Sequence, residues 1–201
     1  MQTILYEVHN NLYVNLTNRC PCACTFCLRQ TMDRMGSSDS LWLDHEPSAE
    51  EVIAAFAEYD MTKYGELVFC GFGEPTEALP VLLEAAAYAK KSFGIPVRIN
   101  TNGLGSLVNG KDIAPLLEGI VDTVSISLNT PDEKKYLELV RPKFGAESYS
   151  AMLSFAEECT KYVPKVVLTT VETTLSKEEE AECARICGRI GASYRIRAFE
   201  S

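Results

Sequence analysis

Six short apolar segments alternate with segments of helical character, and this alternation constrains the fold more than any other feature of the sequence. The predicted strands are Leu12–Leu16, the stretch that begins at Glu66, Val97–Asn100, Thr123–Leu128, Lys165–Val171 and Ser193–Phe199. Strands separated by helices pair in parallel through right-handed crossovers. The sequence therefore predicts an α/β protein, either a doubly wound sheet or part of a β/α barrel.

The positions of the polar residues favour the barrel. Unusual residues follow five of the strands: the cysteines of residues 20–27, Gly73 and Glu74, Thr101 and Asn102, Ser127 and Asn129, and Glu172. A doubly wound sheet concentrates its site at one switch point, whereas every strand of a barrel delivers its carboxyl end to one rim. We therefore predict a partial (β/α)6 TIM-like barrel with parallel strands, as a single domain over residues 1–201.

Local signals define the segments between and before the strands. A cap residue followed three positions later by glutamate, the capping-box pattern, occurs at Ser48 with Glu51, Thr130 with Glu133, and Ser176 with Glu179. Further helices are predicted at Thr76–Ser92, Asp112–Glu118 and Ser148–Tyr162. Ile4–Val8 is expected to pair with the first strand across His9, Asn10 and Asn11, as a short N-terminal hairpin.

The loop after the first strand carries Cys20, Cys24 and Cys27, with the spacing C-x-x-x-C-x-x-C. Three thiolates on one short loop suit an iron-sulfur cubane and leave its fourth iron open for chemistry. Cys22 lies between them, and four thiolates are also the usual number for a structural zinc site. Zinc sites more often have two separated C-x-x-C knuckles, which this loop lacks, so we favour the three-cysteine cluster and keep zinc as the alternative.

Net charge and the distribution of apolar residues limit the partners and the cellular compartment that we expect for this protein. The formal net charge of −9 argues against non-specific binding of DNA or RNA through a broad basic face. No apolar run approaches the roughly 18 residues that a membrane span needs, and the N-terminus has no features of a secretory signal. These observations predict a cytoplasmic protein, in which the eight cysteines are ligands and core residues rather than disulfides.

Four motifs follow one another along the chain: the cysteine loop, FGEP at Phe72–Pro75, NTNG at Asn100–Gly103, and SLN at Ser127–Asn129. Over nearly the whole chain, this order resembles the radical S-adenosylmethionine (radical SAM) superfamily. Phe72 stands where the family's glycine-glycine-glutamate motif has its first glycine, and Asn100 stands where some relatives have an aspartate. The chain's length and N-terminal sequence resemble, more narrowly, the small radical SAM proteins associated with TatD nucleases.

The resemblance implies a cofactor and a set of roles. Cys20, Cys24 and Cys27 would hold a [4Fe-4S] cluster whose open iron is chelated by SAM. An electron from a flavodoxin or ferredoxin would then cleave SAM to methionine and a 5'-deoxyadenosyl radical that takes hydrogen from the substrate. The implied SAM contacts are Phe26 near the cluster and adenine, Gly73 and Glu74 at the amino group, the polar turn of Thr101 and Asn102, and Ser127 and Asn129 at the ribose.

The substrate is not encoded in any motif. A short barrel leaves the side of the site open, and together with the acidic balance this favours a polypeptide or a small metabolite over RNA. The weaker candidates for polar contacts are Arg141, Glu172, Arg195 and Arg197, and the long loop Thr31–Glu46 either covers the site or packs locally. Two non-catalytic alternatives stay open, a zinc-binding module and an electron carrier.

Overall fold

Seven strands form one sheet in the computed structural model, which describes residues 2–198; Phe199, predicted to end the last strand, lies outside the described residues. The strands are β1 (Leu5–Val8), β2 (Asn11–Val14), β3 (Glu66–Phe69), β4 (Val97–Thr101), β5 (Thr123–Ser127), β6 (Lys165–Val171) and β7 (Ser193–Arg197). Their spatial order is their order in the chain. The first pair is antiparallel and every later pair is parallel, which confirms the hairpin and the six parallel strands.

The two faces of the sheet differ in chemistry. Val14, Phe69 and Ile99 lie in one register row and are buried with the helices in the main hydrophobic core. Successive side chains along a strand point to opposite faces, so Asn100 and Ser127 lie on the face away from the helices. The face toward the helices therefore forms the hydrophobic core with them, whereas the other face and the carboxyl rim of the sheet carry polar groups.

The helices lie between successive parallel strands. They are α1 (Ala49–Ala55), α2 (Leu79–Phe93), α3 (Gly105–Asn109), α4 (Glu133–Val140), α5 (Glu147–Tyr162) and α6 (Lys177–Ile190). The capping boxes predicted at Ser48 and Ser176 are both present, with reciprocal hydrogen bonds to the glutamate three residues later. These caps satisfy backbone N–H groups that the first turn of a helix leaves without partners.

Two predicted helix starts and one predicted helix are wrong. The cap of α4 is Asp132, whose carboxylate accepts from the N–H of Lys135, and not Thr130. The segment predicted at Asp112–Glu118 contains only a 3-10 turn at Ala114–Leu117, and the predicted start of the second helix is a 3-10 turn at Pro75–Ala78 that precedes α2. Within residues 2–198, no helix combines the length and the apolar character needed to cross a bilayer.

Candidate active site

The carboxyl ends of β2, β3 and β4 bring three of the sequence motifs together. β2 ends at Val14, and the chain continues through residues 15–19 into the cysteine loop. β3 ends at Phe69, and Cys70 leads into the segment GFGEP, residues 71–75. β4 ends at Thr101, just before Asn102. Because these strands are neighbours in the sheet, motifs more than 80 residues apart in the chain meet at one rim.

The backbone of the cysteine loop is fastened to the end of α4. The N–H of Ala23 donates to the carbonyl of Val140 at 3.1 Å, and the N–H of Thr25 donates to the carbonyl of Leu139 at 2.9 Å. Cys22 forms an isolated antiparallel bridge with Pro142. These bonds give an irregular loop the backbone partners that it would otherwise find only in water.

The four sulfur atoms of this loop have different environments. Cys20, Cys24 and Cys27 are partly exposed, whereas Cys22 is buried. Hydrogen-bonding contacts of the Cys22 sulfur with Cys20 and Cys24 lower the pKa of Cys20 and of Cys24, and the same contacts raise the pKa of Cys22. Burial raises the pKa of Cys27. Cys22 is therefore the buried thiol of the set, and the three partly exposed sulfurs are those named by the C-x-x-x-C-x-x-C spacing.

The three partly exposed thiols suit a cubane in number and in chemistry. Thiolates on a single loop can each bind a different iron of a cluster, so their sulfur atoms have no need to converge on one point. Among residues 2–198, no group of three or more His, Cys, Asp or Glu side chains is arranged to hold a metal ion. Phe26, between Thr25 and Cys27, is 47% exposed, so its ring is available to a bound group.

Two glycines let the GFGEP segment lie directly against the chain that enters the cysteine loop. A Cβ atom on Gly71 would lie 2.1 Å from Oδ1 of Asn15, and one on Gly73 would lie 2.1 Å from the carbonyl oxygen of Thr17. The next N–H, that of Glu74, donates to the carbonyl of Arg19 at 2.8 Å. Neither glycine position has room for a side chain, so the close approach of the two segments depends on both.

Phe72 turns away from this contact. Its ring is buried and meets Trp42 edge to face, with 5.2 Å between the ring centroids. The departure from the family motif therefore places an aromatic side chain under the loop Thr31–Glu46. Such an edge-to-face pair stabilises beyond the area it buries.

Residues after β2, which were not among the predicted site residues, hold the second half of that loop. The contacts are Asn15 Nδ2 to the Leu41 carbonyl at 2.7 Å, Asn18 Nδ2 to the Leu43 carbonyl at 2.8 Å, and Arg19 Nε to a Glu46 oxygen at 2.6 Å. The polar run NLTNR after an apolar strand is the signal that would have indicated them. The loop therefore packs locally against the base of the cysteine loop.

The carboxylate of Glu74 is buried and surrounded by donors of this chain. Oε1 accepts from both the N–H and the hydroxyl of Thr76, at 3.2 and 2.8 Å, and from the hydroxyl of Thr101 at 2.6 Å. Oε2 accepts from the N–H of Asn102 at 2.8 Å. Burial raises the pKa of Glu74, against the effect of these hydrogen bonds. The carboxylate thus joins the GFGEP turn to the turn after β4, and Oε2 keeps one acceptor position.

Ser127 and Asn129 are brought close to each other at the end of β5. Asn129 has a positive φ of 65°, a conformation that asparagine tolerates better than most residues. Its N–H and that of Leu128 both donate to the carbonyl of Thr169, and its side-chain amide reaches the carbonyl of Ser127 at 3.4 Å. Ser127 is partly exposed and Asn129 is almost buried, so the hydroxyl is the more accessible of the two groups.

The remaining candidates lie on other elements of the fold, and the carbonyl of Arg141 accepts from the N–H of Ala23 in the cysteine loop at 3.3 Å. Arg141 adopts a left-handed conformation at the end of α4, and Glu172, Arg195 and Arg197 lie at the end of β6 and on β7. Cys159, Cys183 and Cys187 are buried core residues, as predicted. Cys70, which the sequence places in the core, is only partly buried. Burial raises its pKa, while a hydrogen bond from Asn100 and the charges of Arg197 and Arg98 oppose that rise.

Comparisons with protein families and curated proteins give a consistent picture. The family model described as "Radical SAM superfamily" matches residues 14–190. The chain is 30% identical over 142 residues to a GTP 3',8-cyclase of Corynebacterium glutamicum (strain R), which is 67% of this chain and 35% of that protein. It is 29% identical over 190 residues to the tungsten-containing aldehyde ferredoxin oxidoreductase cofactor-modifying protein of Pyrococcus furiosus, which is 92% of this chain and 50% of that protein. The chain therefore spans half or less of the length of these relatives.

Solved structures share the fold. The crystal structure of Streptococcus suis SuiB bound to precursor peptide SuiA matches 98% of this chain and 40% of its own, with a TM-score of 0.71 and 16% identity. The structure of anSMEcpe with bound AdoMet matches 92% of this chain and 50% of its own, with a TM-score of 0.63 and 18% identity. The predicted partial barrel, open between β1 and β7 within the described residues, is confirmed.

Proposed function

This chain belongs to the radical SAM superfamily, and from that premise we propose that it is a radical SAM enzyme of unassigned reaction. The superfamily uses a [4Fe-4S] cluster and S-adenosylmethionine. When both are bound, they supply reductive cleavage of SAM to methionine and a 5'-deoxyadenosyl radical that abstracts hydrogen from a substrate. The observation that carries the proposal is the meeting of three partly exposed thiols with GFGEP and the turn after β4 at one rim.

The ligands of the cluster are Cys20, Cys24 and Cys27 in this proposal. They are the three partly exposed sulfurs of the loop, and the loop is fixed on α4 through backbone bonds that do not involve the sulfurs. Cys22 is buried, so the proposal leaves it out of the ligand set. Three protein ligands leave one iron free to take the amino and carboxylate groups of SAM.

The SAM site is formed by the neighbouring strand ends. The backbone of Gly73 and the free acceptor position of Glu74 Oε2 suit an ammonium group, with Thr101 and Asn102 holding that carboxylate in place. The hydroxyl of Ser127 and the amide of Asn129 suit the ribose hydroxyls. The exposed ring of Phe26 suits packing near adenine. The task of the protein is to orient these groups and to exclude water.

The proposal also includes a substrate class, an electron donor and a cellular compartment. A polypeptide or a small metabolite is the favoured substrate, because the sheet is open at its side and the net charge is −9. A structural relative solved with a precursor peptide supports the polypeptide. A flavodoxin or ferredoxin would supply the electron, in the cytoplasm, where the eight cysteines stay reduced. The narrower resemblance to TatD-associated proteins stays a prediction.

The test is the iron and zinc content of anaerobically purified protein, with an electron paramagnetic resonance spectrum of the reduced protein with and without SAM. A reduced [4Fe-4S] signal that changes shape with SAM is the expected result. One zinc per chain would support the zinc module, and a cluster indifferent to SAM would support the electron carrier; both would overturn the proposal.

A matched pair of variants tests the ligand set. Cys22→Ala should retain four irons per chain, since Cys22 contributes a buried thiol and its backbone bridge to Pro142 is unaffected. Cys24→Ala should lose the cluster, because it removes one of the three ligands. Loss of iron in both variants would indicate a four-thiolate site and contradict the assignment.

A further inference from the structure

Asn102 contacts the cysteine loop through its side chain. Its Nδ2 lies 3.8 Å from the sulfur of Cys20, a donor distance that suits the large sulfur atom, although 82 positions separate the two residues in the chain. Its Oδ1 accepts from the N–H of Leu104 at 2.9 Å. Because a backbone N–H needs an acceptor, the Leu104 contact fixes the orientation of the amide and directs its NH2 group to the sulfur.

The donor is held rigidly before any cofactor is bound. The backbone N–H of Asn102 donates to Oε2 of Glu74 at 2.8 Å, and the next N–H, that of Gly103, donates to the hydroxyl of Thr101 at 3.0 Å. Gly103 has a φ of 81°, and a Cβ atom there would lie 2.7 Å from Met152. These contacts hold the turn in the conformation in which the amide faces Cys20.

We propose that the side-chain amide of Asn102 donates a hydrogen bond to the ligand sulfur of Cys20 and thereby raises the reduction potential of the cluster. The inference rests on the proposed function, since it needs Cys20 to be a cluster ligand. It gives Asn102 a role different from the SAM contact that the motif implies. Asn102 is a positioning residue here, because it acts through Cys20 and not on the reacting atoms.

The direction of the effect follows from charge. Reduction adds an electron to a cluster whose negative charge is shared with its thiolate ligands, and hydrogen bonds to the sulfurs are one of the factors that set the potential. A donor aimed at a thiolate stabilises the more negative, reduced form. Removing the donor therefore disfavours the reduced form and lowers the midpoint potential, which makes the cluster harder for a flavodoxin or ferredoxin to reduce.

Two substitutions of Asn102 separate the effect of losing the NH2 donor from the effect of adding a charge. Asn102→Asp keeps the acceptor for Leu104 but lacks the NH2 group and adds a negative charge. Asn102→Leu removes the donor without adding charge. The control is Asn109→Asp on α3, an asparagine whose NH2 group donates to the carbonyls of Thr76 and Gly105 and to no sulfur.

The measurement is a redox titration of the reconstituted cluster, followed by electron paramagnetic resonance, beside the iron content of each protein. We expect the ratio of reduced to oxidised cluster at a fixed potential to fall about tenfold in both Asn102 variants, which is about 59 mV for a one-electron couple. The Asn109→Asp protein should titrate as the wild type does. If Asn102→Leu does not assemble a cluster, Asn102→Ala, which also removes the donor without adding charge, takes its place beside the control.

The outcomes distinguish the two proposals. A wild-type protein that assembles no [4Fe-4S] cluster overturns the proposed function, and this inference with it. A cluster that assembles and responds to SAM, but whose potential is unchanged in Asn102→Leu, overturns the inference alone. A shift in Asn102→Asp without one in Asn102→Leu assigns the effect to the added charge and also overturns the inference.

Discussion

Replacing Gly73 by alanine would place a methyl group inside the backbone that leads into the cysteine loop. The Cβ atom would lie 2.1 Å from the carbonyl oxygen of Thr17 and 2.6 Å from that of Arg19. Both obstacles are backbone atoms and cannot rotate away as the end of a side chain would. The GFGEP segment must therefore retreat from residues 17–19 by about 1 Å.

The retreat has two costs that can be estimated from the contacts. Forcing an extra carbon into a packed contact costs typically about 1–3 kcal/mol. The hydrogen bond from the Glu74 N–H to the Arg19 carbonyl, 2.8 Å long, would stretch beyond bonding distance, and losing it costs about 1 kcal/mol. Gly73→Ala should therefore lower the free energy of unfolding by about 2–4 kcal/mol. It should also weaken SAM binding, since Glu74 moves with the segment.

The assay is urea denaturation of the metal-free protein under reducing conditions, followed by circular dichroism. The control is Gly188→Ala on α6, where a Cβ atom meets no heavy atom within 4 Å. Alanine inside a helix stabilises relative to glycine by about 0.5–1 kcal/mol, so the two substitutions should act in opposite directions. An unfolding free energy for Gly73→Ala within about 0.5 kcal/mol of the wild type would refute the close-approach argument.

Two further predictions concern Glu74 and Ser176. Burial raises the pKa of Glu74 above its ordinary value of 4.5. The folded protein therefore holds this proton more tightly than the unfolded chain does. The resulting contribution to the free energy of unfolding is fully present below pH 4.5 and is lost as pH rises through the raised pKa. The stability of the wild type relative to Glu74→Gln, measured by denaturation across a pH series, should therefore fall as pH rises; an increase would contradict the shift. Ser176→Ala removes the α6 capping box and should cost about 0.5–2 kcal/mol, whereas Ser150→Ala, an exposed serine within α5, should change stability by less than about 0.5 kcal/mol.

The strand pattern was predictable because each strand carries its own signal. A buried parallel strand is a short apolar run bounded by turn residues, and this signal is local in sequence. The capping boxes at Ser48 and Ser176 are local in the same way. The helix α3 (Gly105–Asn109) was missed because it is five residues long, begins at a glycine and has no side-chain cap. Its place is set by tertiary contacts, since a Cβ atom on Gly105 would clash with Ile113.

The helix start at Thr130 shows how a local rule fails. Thr130 has glutamate three residues later and a proline after it, so it satisfies the capping-box pattern. Asp132 satisfies the simpler rule of a carboxylate before the first turn, and its oxygen accepts from the Lys135 N–H at 2.7 Å. Thr130 is instead fully buried, with its hydroxyl accepting from the N–H of Asp132 at 3.3 Å. Sequence spacing cannot distinguish two candidate caps that lie two positions apart when burial decides between them.

The sequence motifs named the residues of the candidate site, but they did not predict the contacts between those residues. The spacing of cysteines identified the loop, but it carried no information on which sulfur is buried, because burial of Cys22 depends on the bridge to Pro142, 120 residues away. Glu74 was identified from its motif as a partner for an ammonium group. The structure adds that its carboxylate accepts four hydrogen bonds from its own chain. Those donors come from two turns, and their convergence depends on strand order.

Strand order explains why the order of the motifs is more informative than any one of them. The carbonyl of Arg19 accepts from Glu74, the carboxylate of Glu74 accepts from Asn102, and the amide of Asn102 reaches Cys20, which follows Arg19 in the chain. The contacts thus form a closed ring through the ends of β2, β3 and β4. In a sheet whose spatial order equals its chain order, successive motifs are necessarily neighbours at the rim. We therefore expect a substitution of any residue in this ring to change the environment of the Cys20 sulfur, whichever strand the residue follows.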